Sequence, residues 1–196
     1  MLRYSIIIFS ILCISFTNVV IASQQYQSKY VGQEKRLIKS LSKDDIEQLK
    51  NGKGWGLAKA AELNGMPGPS HILQMKDEIS LSKEQEEKIR SLFEDMKSKA
   101  IPLGNKLIGL ERKLNESFAN RTITSELLDQ QLSSISEVRK NLRYVHLQTH
   151  LVTPTILTAE QIHKYNQLRG YGSDDACDNP PKGHDSKMWK EHNDCQ

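Results

Sequence analysis

Apolar side chains recur at steps of three and four residues through the middle of the chain, the spacing that places them on one face of an α-helix. A turn is expected at residues 120–122, and a kink is expected near Pro102, which lacks a backbone N–H. The first stripe predicts a long helix after Ser82 and consists of Ile89, Leu92, Phe93, Met96, Ala100, Leu103, Leu107, Leu110, Leu114 and Phe118. The second stripe predicts a return helix from Ser125 to about Thr153 and consists of Leu128, Leu132, Ile135, Val138, Leu142, Val145 and Leu151.

Shorter helical patterns flank this hairpin on both sides. Ser42, followed by acidic residues, predicts one short helix, and residues 55–63 predict a second. Residues 65–69 are rich in glycine and proline and predict a linker, after which Ser70 is expected to cap a third helix. Thr158 begins a last short helix after the hairpin.

The fold class follows from these patterns. No stretch of useful length alternates between apolar and polar residues, so the sequence predicts an all-α fold. The long helix would extend about 55 Å at about 1.5 Å per residue, so we expect an elongated helical hairpin with short flanking helices. Two helices with one apolar stripe each bury little surface as a bare hairpin, and a homodimer with isologous contacts is an economical way to cover them.

Two copies of a five-residue motif stand directly before two of the predicted helices. Each copy reads leucine, hydroxyl residue, any residue, glutamate, glutamine, and the residues concerned are Leu81, Ser82 and Gln85 in one copy and Leu157, Thr158 and Gln161 in the other. A hydroxyl residue followed three positions later by glutamine predicts a capping box, in which each side chain bonds the other residue's backbone N–H. The leucine can act as a hydrophobic staple against Ile162 in the second copy, whereas the first copy has Glu86 there. Two ordinary helix starts are the simpler interpretation of either copy alone.

The N-terminus has the pattern of an export signal. Arg3 is basic, residues 5–16 are mostly apolar, and small residues precede a cleavage site after Ala22. An uncleaved membrane anchor is the alternative, although the apolar run is short for a spanning helix. The expected organisation is a signal peptide (1–22), an N-terminal arm with short helices (23–67), a helical domain (68–172) and an acidic tail containing cysteine and histidine (173–196). Residues 23–40 of the arm are expected to be mobile.

Composition excludes several classes of function. The formal net charge is +3, and the acidic residues are enriched in the tail. A mildly basic body lacks the dense basic patch of a nucleic-acid-binding protein, so no nucleic-acid partner is expected. The sequence contains no phosphate-binding glycine loop, no Gly-x-Ser-x-Gly elbow and no His-Glu-x-x-His helix. We therefore expect that the protein is not an enzyme.

Two cysteines remain once the predicted signal peptide, which contains Cys13, is removed. They are Cys177 and Cys195, and an even pair in an exported protein favours an intramolecular disulfide. Zinc binding by these cysteines with His184 and His192 is the alternative, although the spacing matches no zinc-finger pattern.

Three histidines are candidate metal ligands. His146 and His150 are four residues apart on the predicted return helix, so they share one face and can hold one metal ion. His71 is the candidate third ligand if the short helix before the hairpin folds back. The alternative is a pair of histidines that cap or pack in the last turns of a helix, where positive charge is favourable. Zinc or another transition metal is the candidate ion, and no cofactor is required.

The paired motifs, in a small helical chain with an export signal, resemble the Leu-Thr-x-x-Gln motifs of the Spy/CpxP-like periplasmic chaperone family. Residues 68–73 and 100–104, and the stretch from 145–147 through 150–151 to 157–158, also resemble the branch known as periplasmic heavy-metal sensors. The resemblance covers about residues 68–172. Ser82 departs from the family pattern by replacing threonine, which keeps the hydroxyl group and therefore the cap.

The resemblance implies a bent four-helix cradle that is usually an antiparallel dimer. It implies a periplasmic, ATP-independent chaperone of the envelope stress response that holds unfolded or misfolded envelope proteins. Some members of the family inhibit a sensor kinase, and others bind zinc or other metals. The leading expectation is therefore a chaperone in the periplasm, and the alternative is a periplasmic heavy-metal-binding sensor or resistance accessory protein.

Overall fold

The computed structural model describes residues 26–171, 180, 183–192 and 195, and the chain divides into two compact units. In the first unit, Met1–Lys35, the described residues form turns and one short 3-10 helix, Gln33–Lys35. The second unit, Arg36–Gln196, carries the α-helices. The predicted signal peptide and its cleavage site lie outside the described residues.

The second unit contains all the α-helices of the described residues, joined by turns and loops. In chain order its helices are α1 (Lys43–Lys50), α2 (Lys59–Glu62), α3 (Pro69–Gln74), α4 (Lys83–Ala119), α5 (Ser125–Ile156), α6 (Ala159–Leu168) and α7 (Ser186–His192). No strand occurs among the described residues, so the predicted all-α class is confirmed. None of the helices described has an apolar stretch long enough to span a bilayer.

Helices α4 and α5 form the predicted hairpin, with 37 and 32 residues. The turn between them closes α4 with the two backbone hydrogen bonds of a Schellman motif. The Arg121 N–H donates to the Phe118 carbonyl at 3.1 Å, and the Thr122 N–H donates to the Ser117 carbonyl at 3.0 Å. Arg121 takes the left-handed conformation that this motif needs, with φ of 55°. Thr124 then caps α5.

Helix α5 continues past Thr153, where the sequence predicted its end, to Ile156. Pro154 lies in the last turn, so its missing N–H removes only one hydrogen bond from the helix. The Leu157 N–H donates to the Pro154 carbonyl at 3.4 Å and closes the turn. Helix α4 likewise includes Pro102 and remains one helix from Lys83 to Ala119.

The first two flanking helices differ in how well the sequence predicted them. Helix α1 begins where expected, because Ser42 and Asp45 form a capping box. Helix α2 is shorter than the predicted span of residues 55–63. Trp55 and Gly56 have positive φ values of 45° and 69°, which an α-helix cannot contain.

Helix α3 starts two residues earlier than the sequence predicted. Its N-cap is Gly68 and its first residue is Pro69, so the predicted cap at Ser70 is wrong. Proline is well suited to the first helical position because its fixed φ is already helical and its missing N–H would have no partner there.

Two clusters of buried apolar side chains hold the second unit together. The larger cluster joins α1, α4 and α5 to the segment before α1, and consists of Ile38, Leu41, Leu49, Met96, Ala100, Leu107, Ile108, Ile135, Val138 and Leu142. The smaller cluster lies among α3, α4 and α6, and consists of Ile72, Ile79, Ile89 and Tyr165. Because Ile38 is fully buried, the end of the predicted mobile arm is packed against the core.

The predicted apolar stripes are only partly buried. Phe118 and Leu132 are 55% and 45% exposed, although both belong to those stripes. In the last third of α5 the buried face is polar, and its members are His146, Thr149, His150 and Thr153. The Thr149 hydroxyl donates to the His146 carbonyl at 2.7 Å, and the Thr153 hydroxyl donates to the Thr149 carbonyl at 2.7 Å. Both buried hydroxyl groups therefore have a hydrogen-bond partner. Leu151 points away from this face and is 62% exposed.

Candidate functional site

Both predicted capping boxes are present at the starts of α4 and α6. In the first, the Gln85 N–H donates to the Ser82 hydroxyl at 3.1 Å, and the Ser82 N–H donates to Gln85 Oε1 at 3.0 Å. In the second, the Gln161 N–H donates to the Thr158 hydroxyl at 3.2 Å, and the Thr158 N–H donates to Gln161 Oε1 at 2.9 Å. The two motifs therefore have the same local geometry.

The tertiary structure brings these two boxes into direct contact through their glutamines. Gln85 Nε2 donates to Gln161 Oε1 at 2.9 Å, and Gln161 Nε2 donates to Gln85 Oε1 at 3.0 Å. Each amide also donates to a carbonyl two residues before the other motif's cap. Gln85 reaches the Ile156 carbonyl at 2.8 Å, and Gln161 reaches the Ser80 carbonyl at 3.2 Å. The pair is thus approximately symmetric, with the start of α4 and the start of α6 in equivalent roles.

This arrangement satisfies the glutamine amides completely. In each side chain both N–H groups donate, and the oxygen accepts from a cap N–H and from the other glutamine. The pair therefore fixes the relative positions of the starts of α4 and α6 and the end of α5. Sequence spacing indicated each cap, but it held no signal for the contact between residues 76 positions apart.

The motif leucines are both partly buried. Leu81 and Leu157 both contact the smaller apolar cluster, next to Ile156 and Tyr171. The sequence predicted a staple for Leu157 and none for Leu81, because position 86 is a glutamate. Leu81 nevertheless packs against the smaller apolar cluster, although Glu86 offers it no staple partner.

A polar network around Glu62 ties α2 to the end of α6, and the sequence analysis did not identify it. Glu62 Oε1 accepts from Arg169 at 2.5 Å, from the Tyr171 hydroxyl at 2.8 Å and from the Tyr165 hydroxyl at 3.5 Å. His71 Nε2 lies 3.7 Å from the same oxygen. The network joins residues more than 100 positions apart, so no local pattern could reveal it.

The same network sets the ionisation of Glu62. Burial by itself opposes the charged carboxylate, but the hydrogen bond from Tyr171 and the positive charge of Arg169 outweigh it, so the pKa of Glu62 is lowered. Burial, followed by the nearby charge of Glu62, raises the pKa of Tyr165. Glu62 is therefore held as a carboxylate among hydroxyl donors at neutral pH.

The three candidate metal ligands, His71, His146 and His150, all line one cavity of about 560 Å³ between α3, α4 and α5. Met96 and Glu62 line it as well. The predicted fold-back of the short helix before the hairpin therefore places His71 near the other two histidines. However, no three His, Cys, Asp or Glu side chains converge on a common metal position within the described part of the chain.

His150 has a structural role on one side of this cavity. Its Nδ1 donates to the Met66 carbonyl at 2.8 Å, since a carbonyl oxygen can only accept. Its Nε2 lies against Gly68, where an added Cβ atom would come within 2.5 Å of it. His150 thereby holds the Gly- and Pro-rich linker against α5, as the packing alternative in the sequence analysis required.

His146 differs from its neighbour because its Nε2 is buried and has no hydrogen-bond partner among the described residues. The side chain is only 5% exposed. Burial, together with the nearby His150, lowers the pKa of His146 to about 4. At neutral pH His146 is therefore an uncharged imidazole that faces the cavity.

In the tail, Cys195 is disulfide-bonded. Cys177, its predicted partner, lies outside the described residues, so the pairing of these two residues stays a prediction. A cysteine in a disulfide has no thiolate to offer a metal, which argues against Cys195 as a zinc ligand.

Comparison of the chain with family models, curated proteins and solved structures found no match in any of the three. The likeness to the Spy/CpxP-like family therefore rests on the paired motifs and the residues around them.

Proposed function

We propose that the protein is a periplasmic, ATP-independent chaperone-like protein of the Spy/CpxP type, which holds unfolded or misfolded envelope proteins. The observation that carries this proposal is an exposed apolar ridge on α5. Tyr144, Leu151 and Val152 are 60%, 62% and 38% exposed. Positions seven and eight residues apart share one helix face, so these side chains form one surface, called here the α5 ridge.

The surroundings of the α5 ridge suit the binding of varied apolar segments. Val152 also lines a groove between α4 and α5, whose other apolar side chains are Leu92, Met96 and Val145. Lys99 and Asp95 line the same groove and form an ion pair at 2.6 Å on its side. An exposed apolar patch rimmed by charge marks an interaction surface, and a flexible methionine adapts to partners of different shape.

The proposed activity is tested by following the aggregation of a chemically unfolded client protein by light scattering. Tyr144→Gln and Leu151→Gln remove ridge area and keep good helix formers, so we expect less suppression of aggregation at unchanged melting temperature. Leu63→Gln is the matched control, because Leu63 is 64% exposed and lies outside α5. Full suppression by both ridge variants would exclude the α5 ridge as the client surface.

Export and assembly belong to the same proposal. Cleavage after Ala22 predicts a native protein whose first residue is Ser23, which mass spectrometry of the isolated protein measures directly. The family resemblance adds a homodimeric cradle and, in some members, a sensor-kinase partner. Sedimentation at several concentrations tests the dimer, and a strictly monomeric protein would exclude it.

Metal sensing is the second candidate function, and the observation that favours it is the orientation of three histidines around one cavity. His146 offers an uncharged Nε2 without a hydrogen-bond partner in the described structure, whereas His150 uses Nδ1 to hold the linker. The described side chains provide no closed set of three ligands, so any site here is incomplete. Titration with Zn²⁺ and Ni²⁺ while helicity and melting are followed separates the two functions, because a chaperone needs no response to either ion.

A further inference from the structure

The tail contains a set of side chains that neither proposed function uses. His184, Met188 and His192 follow one another at intervals of four residues. Met188 and His192 lie about one turn apart on α7. All three line one cavity of about 520 Å³. Gly183, Asp185 and Trp189 complete its lining. The structure therefore gathers two imidazoles and a thioether around a common space.

Local hydrogen bonds fix the backbone that carries these groups. Asp185 Oδ1 accepts from the N–H groups of Lys187 at 3.1 Å and Met188 at 2.9 Å, which caps the first turn of α7. The Asp185 carbonyl accepts from the Trp189 N–H at 2.8 Å. These bonds fix the first turn of α7, which carries Met188, directly after His184 in the chain.

The His192 ring is held as the ring of a metal-binding histidine usually is. His192 Nδ1 donates to the Met188 carbonyl at 2.8 Å, so in the neutral ring the lone pair lies on Nε2. A backbone carbonyl that holds the second ring nitrogen in this way fixes the tautomer and orientation of a metal ligand. His184 packs edge-on against Trp189, with ring centroids 5.2 Å apart.

The donor set decides which ion fits. A thioether is a soft ligand that selects Cu(I), whereas Zn²⁺ is bound by thiolate, imidazole and carboxylate. Cys195 is disulfide-bonded and offers no thiolate. No three His, Cys, Asp or Glu side chains gather to hold a metal anywhere in the described residues, so a hard or borderline ion lacks its set of ligands here as well.

We propose that His184, Met188 and His192 bind a soft monovalent metal ion, Cu(I), with Trp189 packed beside it. The site is separate from the cavity lined by His71, His146 and His150, and it requires neither the chaperone activity nor the family resemblance. An indole ring close to a bound cation stabilises it through the negative face of the ring. The tail is thus a copper-binding element carried by the helical domain.

Ag(I) is the probe, because it has the ligand preference of Cu(I) and needs no reductant, so the disulfide remains intact. The protein is expressed without residues 1–22 for all titrations, since a free thiol at Cys13 would compete for silver. Titration of the purified protein with Ag(I) is followed by calorimetry and by tryptophan fluorescence. We expect one equivalent to bind with quenching, and Trp189→Phe to remove the quenching while binding remains.

Substitution of the proposed metal-binding side chains tests whether they bind the ion. Met188→Leu and His192→Gln keep the shape of the side chains, and we expect each to weaken this Ag(I) equivalent by about 10- to 100-fold. His163→Gln, an exposed histidine on α6, is the matched control and leaves binding unchanged. Melting temperatures of all variants are measured to show that the fold is kept. Unchanged Ag(I) affinity in Met188→Leu, or displacement of Ag(I) by an equal concentration of Zn²⁺, would overturn the proposal.

Discussion

The side-chain amides of Gln85 and Gln161 hydrogen-bond to each other in both directions, at 2.9 and 3.0 Å, between the starts of α4 and α6. Each glutamine also closes its own capping box and reaches a carbonyl next to the other motif. Removal of either side chain therefore breaks a cap and leaves groups of the other motif without partners. The motif acts as a pair, which explains why one chain carries two copies in the same orientation relative to their helices.

Gln85→Ala and Gln161→Ala should each destabilise the protein by about 1–3 kcal/mol, the usual cost of leaving partly buried polar groups unsatisfied. The double variant should lose less stability than the sum of the losses in the two single variants, because both side chains belong to one network. Urea unfolding followed by circular dichroism measures all three free energies. Gln167→Ala, at an exposed position of α6, is the control and should stay within about 0.5 kcal/mol of the parent protein. Strict additivity of the two substitutions would show that the glutamines act independently.

Thr158→Ala should cost about 1 kcal/mol, within the range of about 0.5–2 kcal/mol for the loss of an N-cap, and Thr158→Ser should cost much less. The reason is that serine keeps the hydroxyl group that accepts from the Gln161 N–H at 3.2 Å. Melting temperature and aggregation suppression are measured on the same proteins. If Thr158→Ala lost aggregation suppression at an unchanged melting temperature, the motif would be a binding surface and not a cap.

Substitution by alanine at two glycines of α4 should change the stability of the protein in opposite directions. Gly109 has open space where a Cβ atom would be added, so Gly109→Ala should stabilise the protein by about 0.5–1 kcal/mol through helix propensity. At Gly104 the added atom would collide with the Leu49 carbonyl, so Gly104→Ala should cost about 1–3 kcal/mol through overpacking. Thermal unfolding of the two variants provides the comparison. Equal stabilisation by both would mean that α1 does not pack against α4 at Gly104.

Protein stability should fall as the pH decreases from about 6.5 to 4, because of His146. Burial lowers its pKa from 6.5 to about 4 in the folded state, so across this interval only the unfolded chain takes up the proton. This difference between the two pKa values corresponds to a loss of roughly 3 kcal/mol in the free energy of unfolding at most. The full loss is reached only at pH values below the pKa of the folded state. Glu62, whose pKa is also lowered, acts in the same direction at lower pH.

The contribution of His146 is isolated by comparing variants across the same pH range. In His146→Gln the free energy of unfolding should change less between pH 6.5 and 4, since glutamine takes up no proton. His163→Gln, the exposed histidine on α6, should retain the slope of the parent protein. An identical slope in His146→Gln would mean that the pKa of His146 is not lowered in the folded protein.

The sequence by itself determined the features that depend on neighbours along the chain. The capping boxes at Ser82 and Thr158, the hairpin turn near Arg121 and the all-α class are decided within a few residues, by side chains that bond to their own helix start. Helix length was less well determined at Pro154, because a proline in a last turn removes one hydrogen bond and does not have to end the helix.

Only the tertiary structure decided what each helix face contacts. Hydrophobicity placed Leu151 in the core and left His146 and Thr153 unassigned, whereas the fold buries the latter two and exposes the leucine. The threonine hydroxyl can be buried because it bonds to a carbonyl of its own helix, which a hydrophobicity pattern does not take into account. The same limit applies to the contact between Gln85 and Gln161. Its bonds join distant segments, and their energy exists only after the helices have packed.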